Sequence, residues 1–130
     1  MSLTLVFLII VIHWVADFVL QTHWQASNKS TNNWALFQHI FTYTITWVFA
    51  FAFWAFFDSN ALTSNYGYGP EIFWFFPITF VAHFITDYFT SRINSILWKK
   101  GDIHNFFVSI GFDQVLHYGQ LFLTIHLLTS

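Results

Sequence analysis

The sequence predicts an all-α integral membrane protein, a four-helix bundle forming a single domain over residues 1–130. Three observations lead there. First, 56% of the residues are hydrophobic and 8% are charged, against about 25% charged in an ordinary soluble domain. Second, 24% are aromatic, including 19 Phe and 7 Trp. A small soluble fold leaves too much of its surface wet to hide that much apolar area. Third, apolar stretches near the length a bilayer helix requires, about 20 residues, recur four times along the chain.

The first predicted span is 3–20. It has no basic leader and no small-residue cleavage site, so it reads as a retained helix rather than a signal peptide. The second is 34–57, rich in Phe and Trp, whose rings read as lipid-facing surface. The third is 71–90. Pro77 lies inside it and should bend or restart the helix, because proline lacks an N–H and clashes with the preceding turn. The fourth is 104–129. The connections at 21–33, 58–70 and 91–103 are polar, and DSNALTSNYGYGP has the Gly, Asn, Ser and Pro content of a loop. Residues 91–98 alternate apolar and polar groups, so they either continue the third helix or lie along the membrane surface.

Charge orients the bundle. Lys29 lies in the first connection; Arg92, Lys99 and Lys100 lie in the third. With four spans these connections share one side. The positive-inside rule makes 21–33 and 91–103 cytoplasmic and both termini external, in a bacterial-type inner membrane. Four Lys+Arg against six Asp+Glu make no basic face, which excludes a nucleic-acid partner. The absence of Cys excludes disulfides, thiolate metal sites and cysteine nucleophiles.

The informative residues are the polar ones inside the spans. Asp17, Asp87 and Asp113 each have a histidine four residues away: His13, His83 and His117. Residues four apart share one face of a helix. The second span adds His39. At about 1.5 Å of rise per residue, these seven groups can meet in the cytoplasmic half of the bundle. A carboxylate at the centre of a membrane helix costs about 2.5–3.5 kcal/mol or more. The spans contain no Lys or Arg to neutralise these three. A divalent metal explains why histidines accompany all of them. Without Cys, imidazole and carboxylate form the zinc ligand set; iron and manganese are alternatives. His13, Asp17, His39, His83, Asp87, Asp113 and His117 are therefore the candidate metal ligands, for one ion or for two with bridging carboxylates. The competing readings are a proton or ion relay and hydrogen-bonded packing between helices.

Other polar residues carry less weight. His23 and His104 fall at the cytoplasmic boundary, and His126 is matched with no acid in the sequence. Gln21 and Gln114 are candidate donors supporting the ligands. Lys29 reads chiefly as a topology charge, with attraction of an anionic group as the alternative. HWVADFVLQ (13–21) and HFITDYFTS (83–91) resemble each other, which suggests two related hairpins about a pseudo-twofold axis.

Taken in order, HWVADFVLQ, the stretch with Asn28 and Lys29, His39, HFITD (83–87) and DQVLH (113–117) resemble a bacterial and phage membrane family, the domain of unknown function 3307. The resemblance covers nearly the whole chain. It implies a small helical bundle in a bacterial-type membrane and supplies no activity.

Three functions follow from the residues. The leading one is a metal-dependent hydrolase acting on a lipid or a membrane-embedded substrate, with catalytic roles among the three acids unassigned. The others are a conduit for protons or divalent cations, and an accessory subunit of a larger membrane complex or homo-oligomer.

Overall fold

The computed structural model describes residues 2–57 and 70–129. Among the described residues the fold is all-helical and contains no strand. Helix α1 (Leu3–Trp14) opens at Ser2, whose hydroxyl accepts from the Leu5 amide, and runs into a π turn at Val15–Val19. There the Leu20 amide reaches back five residues to the Val15 carbonyl. The first predicted span is thus helical, but not one regular α-helix.

The connection at 21–33, predicted as a polar loop, contains a further helix, α2 (His23–Asn28). Thr22 and Gln25 build a reciprocal cap at its start, the side chains satisfying amides that have no partner in the first turn. Helix α3 (Asn33–Phe57) follows, with Asn32 accepting from the Trp34 and Ala35 amides.

A 3₁₀ turn (Pro70–Trp74) leads into α4 (Phe75–Lys99). Pro77 sits in the first turn of α4. Its missing N–H costs nothing there, because amides in a first turn have no intrahelical acceptor. The helix restarts just ahead of the proline. Residues 91–99 continue α4, so most of the connection predicted at 91–103 is helix. The chain reverses at Gly101, whose φ of 71° is readily adopted only by glycine. The Gly101 and Asp102 amides bond the Trp98 and Leu97 carbonyls, closing α4 in a Schellman motif. Asp102 then caps α5 (Ile103–Leu128) through the Asn105 amide.

So short a connection makes α4 and α5 antiparallel neighbours. Helix α3 packs against α1, the π turn, α2 and α4. Two helical stretches, 33–57 and 70–99, are long and apolar enough to cross a membrane. Leu3–Val19 is apolar but shorter, and α5 is diluted by Asp113, Gln114, His117 and Gln120.

The interior is unusual. Among the described residues, the buried set contains as much polar as apolar material: His13, Asp17, His39, His83, Asp87, Asp113 and His117 are all inside. Phe49, Phe53, Phe56 and Phe89 point outward. An apolar cluster of Ile9, Ala16, Tyr43, Trp47, Phe75, Leu121 and Ile125 packs together beside the polar one.

Candidate metal centre

Each long helix delivers part of one polar cluster. Helix α1 and its π turn bring His13 and Asp17, α3 brings His39, α4 brings His83 and Asp87, and α5 brings Asp113 and His117.

Asp17 and Asp87 are the hubs. Nε2 of His39 lies 3.0 Å from Asp17 Oδ1 and 3.2 Å from Asp87 Oδ2. Nε2 of His83 lies 3.5 Å from Asp17 Oδ1 and 3.5 Å from Asp87 Oδ1. Asp17, His39, His83 and Asp87 each offer one ligand atom, all within 4.8 Å of one another. A tetrahedral ion with bonds of about 2.0–2.2 Å holds its ligand atoms about 3.3–3.6 Å apart. These contacts of 3.0–3.5 Å fall close to that spacing, so these four side chains suit a zinc-sized cation.

His83 gives the clearest sign. It is 0% exposed, and neither ring nitrogen has a hydrogen-bond partner. Buried polar atoms in folded proteins are nearly always paired. The ring is positioned by stacking instead: it lies 4.2 Å from the His117 ring and 4.0 Å from the Tyr43 ring. Asp17 Oδ1 is also buried without a hydrogen bond. Its close approach to His39 lacks hydrogen-bond geometry.

A second set adjoins the first. Asp113, His117 and Asp17 also offer ligand atoms within 4.8 Å of one another. His117 Nε2 lies 3.1 Å from Asp87 Oδ1 and 3.4 Å from Asp113 Oδ1.

His13 belongs to neither set. Its Nδ1 lies 2.8 Å from the Tyr43 hydroxyl and its Nε2 lies 2.8 Å from Gln114 Oε1. The Gln114 amide nitrogen faces Asp17 Oδ2 at 3.4 Å and Asp113 Oδ2 at 3.1 Å. Carboxylates only accept, so the Gln114 NH2 must face them and its oxygen must face His13. His13 Nε2 is then the protonated nitrogen, and Nδ1 accepts from Tyr43. His13 therefore reaches the acids through Gln114, and its Nε2 also lies 3.7 Å from Asp17 Oδ2. Gln21 supports it from the backbone, donating to the Asp17 carbonyl at 2.9 Å.

Lys29 requires a correction. The acids do have a cationic neighbour. Helix α2 turns the chain so that Lys29 Nζ lies 2.8 Å from Asp87 Oδ2 and 3.4 Å from His39 Nε2. Burial opposes the charge on Lys29, but Asp87, backed by Asp17 and Asp113, holds its pKa above the ordinary lysine value. With neutral histidines, three carboxylates and one ammonium give −3 + 1 = −2, the complement of one divalent cation. Gln114 takes the supporting donor role expected of it. Tyr43 and the contact of Lys29 with the acids are what the spacing of His and Asp did not identify, because both arise from tertiary contacts that leave no local pattern.

The family described as "Protein of unknown function (DUF3307)" matches residues 5–130. The chain belongs to it. No curated protein and no solved structure matches the chain. The buried His/Asp cluster of this DUF3307 protein draws on every long helix, so the centre and the packing of the helices are one structure.

Proposed function

We propose that this DUF3307 chain is a small integral membrane protein with an intramembrane divalent-metal centre, and that the centre hydrolyses a lipid or a membrane-embedded substrate. The observation that carries the reading is the convergence of Asp17, His39, His83 and Asp87, with His83 Nε2 facing both acids and making no hydrogen bond. Zinc fits the donor set best, with iron and manganese as alternatives.

Polarity supports the membrane setting. The apolar windows of the two span-length helices are only 17% and 28% buried. The core helix of a soluble protein would be mostly buried. The exposed Phe residues of α3 and α4 suit hydrocarbon, and the polar interior suits a bundle whose outside is lipid. Arg92, Lys99 and Lys100 lie at the α4–α5 end, and the positive-inside rule favours that end as cytoplasmic with the termini external.

A metal held there would supply Lewis acidity, activating water at about pH 7 and polarising a carbonyl or phosphoryl oxygen. Asp17, His39, His83 and Asp87 would hold it. His13, through Gln114, keeps Asp17 aimed at the centre. Lys29 places an ammonium beside the acids, where it can face negative charge on a substrate.

A proton or cation conduit is the second reading. Beyond His83 and His117, Gln120 bonds Thr79 at 3.2 Å and Thr124 at 2.9 Å, extending polarity outward. Against it, Ile9, Trp47, Phe75, Leu121 and Ile125 pack into an apolar layer beside that chain. Thr42 and Thr46 turn their hydroxyls onto carbonyls of their own helix and so add no path.

Elemental mass spectrometry on protein purified in mild detergent without added metal tests the centre. Zinc, iron or manganese bound in wild type and lost in His83→Ala and Asp87→Ala is the expected result, and hydrolysis of lipid esters is then assayed. Metal-free, folded wild type would overturn the metal reading, and flux in proteoliposomes that disappears in Asp87→Asn would establish the conduit.

A further inference from the structure

We propose that the cluster holds two divalent cations, the second one bound by Asp113, His117 and Asp17. The inference rests on the metal centre proposed above and extends it.

Asp113 and His117 lie outside the four-residue set, yet each offers a ligand atom within 4.8 Å of the other and of Asp17. Asp113 Oδ1 is buried with no hydrogen-bond partner, although His117 Nε2 is 3.4 Å away. It is a buried carboxylate oxygen that accepts no hydrogen bond, and such a group is costly without a counter-charge.

The hub carboxylates are disposed to bridge. Asp17 directs Oδ1 at His39 and His83, and Oδ2 at Gln114. Asp87 directs Oδ2 at Lys29 and His39, and Oδ1 at His83 and His117. Asp87 therefore touches histidines of both sets, and Asp17 offers a ligand atom to both. Gln114 ties Asp17 Oδ2 to Asp113 Oδ2 through a single amide nitrogen, which sets the relative position of two acids of the second set. Carboxylates shared in this way suit metals about 3.5–4 Å apart.

Charge then indicates the substrate class. The acids and Lys29 sum to −2, as above. One divalent cation neutralises that. A second leaves +2, which calls for hydroxide and an anionic substrate. A phosphate ester meets that need, because paired metals stabilise both the attacking and the leaving oxygen of an in-line displacement at phosphorus. Water supplies the oxygen that bonds to phosphorus, the P–O bond to the alcohol breaks, and the alcohol leaves with a proton.

The test is metal stoichiometry on the full chain in detergent, loaded with Zn²⁺ and desalted. Two ions per chain in wild type, falling to one in Asp113→Asn and in His117→Gln, is the expected result. Both variants are compared with wild type by circular dichroism and size exclusion. Mn²⁺-loaded wild type adds a measurement that needs no variant: an exchange-coupled electron paramagnetic resonance signal is expected. One ion in wild type with an uncoupled Mn²⁺ signal would overturn the second position and leave the first intact. No bound metal would overturn both.

Discussion

The ammonium of Lys29 lies 2.8 Å from Oδ2 of Asp87, bridging 58 positions of sequence. The pair fastens α2, on the connection between the first two long helices, to the middle of α4. Removing one partner of a buried ion pair costs about 3–5 kcal/mol, because the other charge is stranded. The Lys29 side chain keeps 19% of its exposure, so the lower end applies. Lys29→Met should lower the melting temperature of metal-free protein, and added Zn²⁺ should restore part of the loss by neutralising Asp87. Thermal unfolding in detergent with and without metal checks this; an unchanged midpoint would mean that the pair does not hold α2.

Tyr43 and His13 should influence the metal without binding it. Residues that orient ligands are worth about 10–100-fold in metal affinity. Tyr43→Phe removes the donor to His13 Nδ1 and leaves the ring beside His83 in place. It should bind the same number of ions as wild type with weaker affinity, measured by competition against a chelating dye. His83→Ala should lose the first ion altogether. Equal stoichiometric loss in both variants would overturn the supporting role given to Tyr43 and His13.

Chelation should destabilise the whole bundle and not one end of it, since the ligands come from every long helix. A ligand present at 100 times its Kd stabilises the native state by about 2.7 kcal/mol. Stripping metal should therefore lower the single unfolding transition, and Zn²⁺ should reverse the shift. A transition indifferent to chelator would detach the cluster from metal.

The chain contains no Cys, so single-cysteine reporters are unambiguous. In cells, Lys100→Cys should resist a membrane-impermeant maleimide until the membrane is permeabilised, and Thr129→Cys should react at once. The reverse pattern would invert the topology. Reaction of both in intact cells would rule out a cytoplasmic location for the α4–α5 turn.

Much of the architecture was legible, because apolar length and helical spacing are local properties. The bounds 34–57 and 104–129 fall within a residue of α3 and α5. The pairs His83/Asp87 and Asp113/His117 do share a face, and the cluster draws on all the candidate helices. What escaped is non-local. Lys29 looks like any loop lysine until α2 turns it inward, and α2 itself is six residues long in a polar stretch. Tyr43 sits among the aromatic residues of α3, and only its burial and its contacts with His13 and His83 distinguish it from Tyr or Phe facing lipid. Residues 58–69, expected to form a loop, lie outside the described residues.

The π turn at Val15–Val19 makes the two similar stretches unequal. His13-x3-Asp17 and His83-x3-Asp87 share a spacing, but only the second pair lies wholly on an α-helix. The two histidines also take different work: His83 faces Asp17 and Asp87 without a hydrogen bond, while His13 is engaged by Tyr43 and Gln114. The halves are therefore not exchangeable parts. A chimera carrying 83–91 in place of 13–21 would keep the histidine, the acid and their interval, yet lose the Gln21 amide that donates to the Asp17 carbonyl. If the chain arose by duplication of one hairpin, this is where its copies parted company, one specialising in ligation and the other in alignment.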